Sequence, residues 1–198
     1  PMRSESISDA GICRQRSTQG YNHMKIGLLS DTHSYLDPRV ITHFKDCDEV
    51  WHAGDIGELS LVEELERLKP LRGVYGNIDD KKIQSRFPED LRFHCEGIDV
   101  LITHIGGTPP NYNPRTKKLL KERTPDLFIC GHSHILRIQR DASYNNMLYV
   151  NPGAAGNQGF HKTKTIVRFE VHGQKIEGME VIELGKRGAL IDAPDQNR

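Results

Sequence analysis

The chain has 198 residues, of which 36% are apolar and 27% are charged, a composition typical of one folded globular domain. Lys and Arg number 27, as do Asp and Glu, so the formal net charge is zero and the chain lacks the basic excess that stable nucleic-acid binding requires. No run of about 18 apolar residues occurs, which excludes a transmembrane helix and predicts no membrane partner.

The two ends of the chain differ in character from its middle. Residues 1–23 are polar and aperiodic and lack the apolar segment of a signal peptide. A strand pattern starts directly after His23-Met24, which resembles a cloning junction. We therefore expect residues 1–23 to be an extra segment, either left by cloning, or read from a misassigned start, or disordered. Residues 185–198 are expected to form a polar C-terminal tail, so the domain is predicted to span residues 24–184.

The first half of the chain predicts strands that alternate with helices. Apolar runs too short for helices predict strands over residues 25–29, 49–51 and 71–75. Asp37 followed by Pro38 predicts the start of a helix. The pattern from Ser60 to Glu63 has the form of a capping box and predicts a second helix, which runs through Lys69.

The second half of the chain is dominated by strand pairs. Hairpins are predicted around Glu96-Gly97 and around His172-Gly173-Gln174, with strands over residues 91–95, 98–103, 165–171 and 175–182. A helix is predicted from Asn113-Pro114 to about Arg123, and further strands are predicted over residues 127–130, 135–140 and 147–150. This order predicts an α/β fold in which two sheets pack face to face with helices outside.

Five of the apolar runs end in a side chain that can bind a metal ion, and a sixth ends in a Gly-rich turn. These strand-end motifs are Ser30-Asp31-Thr32-His33, Gly54-Asp55, Gly76-Asn77-Ile78-Asp79, Thr103-His104, Gly131-His132-Ser133-His134 and Asn151-Pro152-Gly153. In α/β sheets, ligands bind in the crevice beyond the carboxyl ends of the strands. Loops at one sheet edge can therefore bring these residues together although a hundred positions separate them.

The residue types and their spacing indicate a metal site. Asp31 and His33 are two residues apart, as are His132 and His134. Because residues i and i+2 of an extended segment point to one side, each pair is predicted to present two ligands to one ion. Glycines precede three of the motif residues and allow close backbone approach or positive φ there. Carboxylate, imidazole and amide oxygen suit Mn²⁺, Fe²⁺ or Zn²⁺, and the absence of Cys argues against a structural zinc site.

Each motif by itself has an ordinary explanation. Asp-x-His occurs as an N-cap beside a surface His, and Gly-Asp or Gly-Asn occurs as a turn. The ordered set of five metal-capable motifs is much more specific than any one of them. Two rival patterns of binuclear hydrolases fit less well: a (β/α)₈ barrel needs about 250 residues, and a His-x-His-x-Asp-His cluster is absent.

From Met24 to about Leu184 the chain resembles the calcineurin-like metallophosphoesterase superfamily, and within it the small bacterial and archaeal YfcE-type phosphodiesterases. The resemblance rests on the six strand-end motifs. It implies a four-layer αββα sandwich with two mixed β-sheets face to face. It also implies two divalent metal ions, one bound by Asp31, His33 and His134, the other by Asn77, His104 and His132, with Asp55 bridging the two.

The resemblance further implies a phosphoesterase, with phosphodiesters as the expected substrates and a hydroxide between the two cations as the nucleophile. Asp55, Asn77 and His104 are the implied catalytic residues, and Asn77 and His161 are the candidate substrate contacts. Mn²⁺ is the first expectation for the metal, with Zn²⁺, Fe²⁺, Ni²⁺ and Mg²⁺ as alternatives. The expected partner is a small phosphate ester, and a homo-oligomer is left open. Because the four cysteines show no C-x-x-C spacing, we expect reduced thiols and a cytoplasmic location.

Three positions depart from the pattern of the superfamily. Ile78 stands where many members carry a His that acts as general acid, and Gly106 stands where a second His is common. The loop after Asn151 carries His161 where an Arg often contacts the phosphate. His161 either binds phosphate or donates a proton, or it is a surface His beside Lys162.

Two further polar residues near the motifs have open assignments. Asp79 either orients a ligand or caps a helix that begins before Lys81. His52, three residues before Asp55, is expected to pack or to form hydrogen bonds rather than to bind metal.

Two alternatives to an enzyme follow from the same resemblance. The first is a non-catalytic scaffold, similar to the small scaffold subunit of retromer, which has lost metal-site histidines. The second is a metal-dependent regulator or binding module, because Ile78 and Gly106 remove two catalytic aids. Every ligand position is filled in this chain, which favours the enzyme.

Overall fold

Apolar side chains alternate between the two faces of the central strands, and this alternation determines the fold. The computed structural model describes residues 23–188. Leu28 and Val150 belong to one buried cluster between the sheets, whereas their neighbours Leu29 and Tyr149 belong to clusters on the outer faces. Successive side chains of a strand point to opposite faces of its sheet. Both faces of each sheet are therefore apolar, and both need cover.

The strands and helices account for most of the described residues. The strands are β1 His23–Leu29, β2 Glu49–His52, β3 Leu71–Gly73, β4 Asp90–Cys95, β5 Ile98–Thr103, β6 Gly107–Thr108, β7 Asn111–Tyr112, β8 Leu127–Ile129, β9 Arg137–Asp141, β10 Met147–Asn151, β11 Thr163–His172 and β12 Lys175–Lys186. The α-helices are α1 Pro38–Phe44, α2 Leu59–Leu68, α3 Lys81–Gln84 and α4 Pro114–Glu122, and a 3₁₀ turn covers Ala142–Tyr144.

Two five-stranded mixed sheets carry the fold. The first has the order β12-β11-β1-β2-β3 and the second the order β4-β5-β8-β10-β9. Strands β1, β2 and β3 run parallel, as do β5, β8 and β10. Strands β11, β4 and β9 pair antiparallel to β1, β5 and β10, respectively, and β12 pairs antiparallel to β11. The six strands that precede the strand-end motifs are therefore the six parallel ones, and within each sheet their carboxyl ends share an edge.

Four layers result from the burial of the sheet faces. The cluster between the sheets takes Ile26 and Phe169 from the first sheet and Ile102 and Ile129 from the second. Side chains of α1, α2 and α3 cover the outer face of the first sheet, and Leu120 of α4 packs on the outer face of the second. The prediction of an αββα sandwich with two mixed sheets is confirmed.

Several element boundaries differ from the predictions. The prediction that Ser60 caps α2 was wrong. Helix α2 begins at Leu59 after Glu58, and the Ser60 hydroxyl lies 3.5 Å from the Glu58 carboxylate. Leu59 packs against the apolar cluster between the first sheet and helices α1, α2 and α3, and this packing favours a helix that includes Leu59. Strand β3 ends at Gly73, because the Tyr75 amide donates to the Pro88 carbonyl instead of to the sheet. The short pair β6–β7 was not predicted, and helix α3 was considered only through the alternative role of Asp79 as its cap.

The chain ends are described only in part. The predicted extra segment lies outside the described residues except for His23, which begins β1 and pairs with His172. Strand β12 continues through Lys186, two residues into the predicted tail, and residues 189–198 lie outside the described part. Between residues 23 and 188, no helix has the length and apolar character that crossing a membrane requires.

A buried ion pair links β11 to the start of α1. The Lys164 ammonium lies 2.8 Å from the Asp37 carboxylate, and both side chains are fully buried. Asp37 also accepts from the Arg39 guanidinium and caps α1 through the Arg39 amide. Burial raises the pKa of Asp37, but the hydrogen bonds from Arg39 and Lys164 outweigh it and hold that pKa well below its usual range. The carboxylate therefore stays charged inside the fold.

Removal of the Lys164 charge tests this pair. Lys164→Met should lower the free energy of unfolding by about 3 kcal/mol, because a buried charge loses one of its two cationic partners. Urea denaturation measures the change. Arg67→Met, which breaks the exposed pair of Arg67 with Glu63, is the control and should cost less than about 1 kcal/mol. Equal losses in the two variants would contradict the assignment.

Candidate metal centre

Side chains from all five metal-capable motifs meet beyond the carboxyl ends of the parallel strands. They form two groups, Asp31 with His33 and His134, and Asp55 with His104 and His132, and within each group the candidate ligand atoms lie within 4.8 Å of one another. The Asn77 amide oxygen lies 3.2 Å from His104 Nε2 and so adjoins the second group. The structure thus brings together the seven residues predicted as metal ligands. Their binding of metal stays a prediction.

Asp55 lies between the two groups. Its Oδ2 is 3.6 Å from His33 Nε2, and its Oδ1 is 3.2 Å from His104 Nε2. The two oxygens of one carboxylate therefore face different groups. Asp31 also adjoins both, with its Oδ1 3.2 Å from His134 Nε2 and 3.9 Å from His104 Nε2.

These spacings fit coordination of transition-metal ions. Ligand atoms about 2.0–2.2 Å from an ion lie about 2.8–3.6 Å from one another in octahedral or tetrahedral geometry. In the first group, His134 Nε2 lies 3.2 Å from Asp31 Oδ1 and 3.4 Å from His33 Nε2. The Asp31 and Asp55 side chains are almost fully buried, and no Lys or Arg among residues 23–188 forms an ion pair with either. Buried carboxylates need compensating positive charge, which divalent cations would supply.

His104 interacts electrostatically with the two buried carboxylates, Asp31 and Asp55. Burial disfavours its charged form, but the hydrogen bond to Asp55 and the charges of Asp31 and Asp55 outweigh burial and raise the pKa of His104. Burial raises the pKa of Asp55, and the hydrogen bond and charge of His104 outweigh that effect and lower it. Both shifts show that the pocket stabilises positive charge next to these two carboxylates.

Unusual backbone conformations direct the ligands into the pocket. Five predicted ligands have left-handed φ angles, with Asp31 at 54°, His33 at 48°, Asp55 at 54°, His132 at 66° and His134 at 58°. Such residues cost of order 1–3 kcal/mol each and cluster at functional sites. Extended backbone therefore does not orient the i and i+2 pairs, which lie in turns after their strands. Asp31 and His33 belong to one group, but His132 and His134 belong to different groups, so the prediction that each pair serves one ion was wrong for the second pair.

All three glycines that precede ligands leave no room for a side chain, and a Cβ at Gly54 would lie 2.6 Å from His104 Nδ1. A Cβ at Gly76 would lie 2.1 Å from Asp55 Oδ1. A Cβ at Gly131 would lie 2.1 Å from Ser30 Oγ and 2.9 Å from Asp31 Oδ2. These glycines allow one loop to lie close against a side chain of another loop.

Asp79 fixes the loops that carry Asp55 and Asn77. Its carboxylate accepts from the backbone amides of Ile56 at 3.2 Å, Gly57 at 2.7 Å and Gly76 at 2.7 Å. The cap of α3 is instead Asp80, which accepts from Lys82 and Ile83. Of the two assignments considered for Asp79, orientation of the ligand loops is supported and the helix cap was wrong.

Hydrogen bonds set the tautomers of two buried histidines. His104 Nδ1 lies 2.8 Å from the Ala53 carbonyl and donates to it, so Nε2, which faces Asp55, is the ring nitrogen that could bind a metal ion in place of its proton. His52 Nδ1 accepts from the Gly54 amide, and its Nε2 donates to the Thr32 hydroxyl at 2.9 Å. Burial lowers the pKa of His52 to about 4, so the ring is neutral at pH 7. His52 forms hydrogen bonds inside the loops, as expected.

His161 lies against a predicted ligand rather than apart from the site. Its Nε2 donates to the Gly156 carbonyl at 3.0 Å, and its Nδ1 lies 3.2 Å from His134 Nδ1 and accepts from it. This arrangement leaves His134 Nε2 free to face Asp31. No sequence pattern predicts the contact, because the two histidines are 27 positions apart. A direct substrate contact by His161 stays a prediction.

The structure shows what surrounds Ile78 and Gly106, the two residues at which the superfamily commonly carries His. Ile78 is 45% exposed at the mouth of the site, and its amide donates to Asp55 Oδ1 at 3.0 Å. Gly106 lies where a Cβ would be 2.8 Å from the Phe128 ring, so a larger residue does not fit without movement. A proton donor at position 78 would face the pocket, whereas one at position 106 is sterically excluded.

The role of Asp79 can be tested with its neighbour as control. Asp79→Asn replaces one amide acceptor by a donor and should weaken Mn²⁺ binding by about 10–100-fold, as loss of groups that orient ligands does. Titration against a chelating dye measures the affinity. Asp80→Asn retains a good helix cap and should bind Mn²⁺ as the unchanged protein does. The same affinity in all three proteins would refute the role.

Comparison with known proteins finds a matching family model and several relatives. Residues 24–174 match the model of the calcineurin-like phosphoesterase superfamily domain. A probable metallophosphoesterase from Methanothermobacter thermautotrophicus is 29% identical over 167 residues, which cover 82% of this chain and 94% of the relative. A phosphodiesterase from Methanocaldococcus jannaschii is 26% identical over 146 residues, which cover 66% of this chain and 83% of the relative.

The fold is also similar to that of solved structures. The structure of Vps29 from Chaetomium thermophilum superimposes with a TM-score of 0.65 at 14% sequence identity, covering 83% of this chain and 99% of that chain. At that identity the similarity concerns the fold alone.

Proposed function

The chain belongs to the calcineurin-like phosphoesterase superfamily, which is metal-dependent, and on this premise we propose that it is a phosphodiesterase that works with two divalent cations. The observation that carries the proposal is the position of Asp55, whose two carboxylate oxygens face the two groups of candidate ligands.

The proposal assigns the ligands by group. Asp31, His33 and His134 hold one cation, Asn77, His104 and His132 hold the other, and Asp55 contacts both. Support comes from the ligand spacings and from the orientation of His104, whose Nδ1 donates to the Ala53 carbonyl and whose Nε2 faces Asp55. Mn²⁺ is the first choice for this set of carboxylates, imidazoles and one amide, with Zn²⁺, Fe²⁺, Ni²⁺ and Mg²⁺ as alternatives.

Bound cations would supply an activated water and neutralise the charge that develops on the phosphoryl group. Asp31 and Asp55 cancel two of the four positive charges, so the loaded pocket retains net positive charge for a phosphate. Asn77 is exposed at the mouth and, together with His104, lines the way from the pocket to solvent. In the structure both ring nitrogens of His161 are engaged, so a direct contact of His161 with phosphate requires the release of one hydrogen bond.

The proposed substrate class and cellular location rest on the relatives and on the residues of this chain. The Methanocaldococcus relative is named a phosphodiesterase, which supports diester over monoester substrates. Ile78 offers no proton to a leaving group, which favours esters of acidic alcohols. We further propose that the substrate is a small phosphate ester and that the protein is cytoplasmic. The proposal includes no oligomeric state. Cys47, Cys95 and Cys130 are free thiols, as expected for a reducing compartment.

Loss of the central carboxylate tests the proposal. Asp55→Asn should lower kcat/KM for bis(p-nitrophenyl) phosphate with Mn²⁺ by more than about 100-fold, because both ions lose a shared ligand. It should also reduce the metal content, measured by mass spectrometry after gel filtration, below two equivalents. Asp46→Asn, on the exposed surface, is the control and should retain both values. Unchanged turnover in Asp55→Asn would refute the assignment.

A non-catalytic scaffold is the second candidate, and one observation favours it. Apolar side chains are exposed around the mouth of the site, with Ile78 at 45%, Ile135 at 66% and Phe160 fully exposed. Such a rim suits a protein surface, and Vps29 shares the fold. The complete ligand set favours the enzyme. A protein that binds two metal ions but hydrolyses neither nitrophenyl monoesters nor diesters with Mn²⁺, Zn²⁺ or Mg²⁺ would indicate the scaffold.

A further inference from the structure

A further group of potential metal ligands lies at the opposite end of the first sheet from the candidate metal centre. His23, Glu170 and His172 offer two imidazoles and one carboxylate, and one candidate ligand atom from each lies within 4.8 Å of the others. His23 is the first residue of β1, whereas the candidate metal centre lies beyond Leu29 at the other end of that strand. At about 3.3 Å per residue, β1 alone separates the two places by about 20 Å. The group is therefore spatially independent of the proposed catalytic site.

The pairing of β1 with β11 brings the three side chains together. His23 and His172 are directly opposite each other in the antiparallel ladder. Their side chains therefore share one face of the sheet, with Cβ atoms about 4.5–5.5 Å apart. Glu170 is two residues from His172 on the same strand and projects from the same face. It stands diagonally across from His23, a position that long side chains can bridge.

The distances within the group fit coordination of a single ion. Glu170 Oε2 lies 3.2 Å from His23 Nε2 and 3.6 Å from His172 Nε2. Ligand atoms about 2.0–2.2 Å from a zinc ion lie about 3.3–3.6 Å from one another in tetrahedral geometry. In the candidate metal centre, His134 Nε2 lies at the same distance of 3.2 Å from Asp31 Oδ1. The two places therefore share the spacing of imidazole and carboxylate, although one is buried and the other is at the surface.

The side chains have the freedom that coordination requires. The two imidazole rings stack, with centroids 4.2 Å apart and planes 13° from parallel. Because the lone pair of an imidazole nitrogen lies in the plane of its ring, one ring must turn before both nitrogens face the same ion. The side chains of His23 and His172 are 46% and 45% exposed, and the second side-chain torsion of His has broad energy wells. The group can therefore close around an ion without rearrangement of the sheet.

The charges around the group balance, so the ligand chemistry decides what it binds. Glu170 has Lys25 opposite it on β1 and Glu177 opposite it on β12. Lys175 is opposite His172 on β12. Two lysines and two glutamates leave this part of the sheet without net charge. Two imidazoles and one carboxylate, with a water in the fourth position, are a donor set that suits Zn²⁺.

We propose that His23, Glu170 and His172 bind one Zn²⁺ ion at the surface of the first sheet. The ion links the start of β1 to the end of β11 and adds to the backbone pairing of these strands, because an ion that binds only the folded chain stabilises it. His23 precedes Met24, the expected start of the domain, so the assignment makes His23 part of the domain. The inference does not depend on the proposed hydrolysis.

The number of bound Zn²⁺ ions tests this site. Equilibrium dialysis of the full chain against Zn²⁺ gives the equivalents bound. His172→Ala removes a ligand, and Glu170→Gln removes the charge while it retains the size of the side chain. Each variant, and the two combined, should bind about one equivalent less than the unchanged chain. His94→Ala is the control, because it removes an exposed His outside the group, and it should bind as much Zn²⁺ as the unchanged chain.

The outcomes separate this inference from the proposed function. The test measures a difference of one equivalent, which should also appear when Asp55→Asn has reduced the metal content of the candidate metal centre. Equal Zn²⁺ binding by the unchanged chain and Glu170→Gln would overturn the inference. An equal loss in His94→Ala would overturn it too, because it would show non-specific binding to surface histidines. Circular dichroism identifies a misfolded His172→Ala protein, in which case Glu170→Gln decides.

Discussion

Two carboxylates, Asp31 and Asp55, lie buried at the junction of two sheets, and histidines and backbone amides are their hydrogen-bond and ion-pair partners within residues 23–188. Unpaired buried charge is costly, and a fold that keeps two such groups close together gains nothing in stability from them. The cost is understandable if cations occupy the space between them. The left-handed backbone of five ligand positions has the same explanation, because it is unfavourable locally and serves to direct side chains inward.

Groups around the ligands hold that arrangement before any ion binds. Asp79 ties together the loops after β2 and β3 through three amides, and His52 ties the loop after β1 to the one after β2 through Thr32 and Gly54. The Ala53 carbonyl and His161 fix the tautomers of His104 and His134, respectively. Groups that orient ligands in this way are as much a part of a metal site as the ligands. The pocket is therefore preorganised by hydrogen bonds rather than by the packing of apolar side chains.

The fold and the convergence of the candidate ligands could be predicted from local signals and from the resemblance of the strand-end motifs to the superfamily. Short apolar runs followed by Asp, Asn or His marked the six parallel strands, and alternation gave both sheets two apolar faces. The contact of His161 with His134 and the three amides on Asp79 could not be predicted, since each brings together residues that follow different strands. Helix α2 begins two residues before the position that capping by Ser60 predicts, because packing of Leu59 outweighs the capping signal of Ser60. Tertiary contacts decided these features, and they leave no periodic trace in the sequence.

Anomalous diffraction from crystals grown with Mn²⁺ tests the central claim most directly, because it locates the ions independently of activity. The account predicts two peaks about 3.5–4 Å apart. One should be surrounded by Asp31, His33 and His134, the other by Asn77, His104 and His132, with Asp55 between them. A single peak, or none at these side chains, would contradict it.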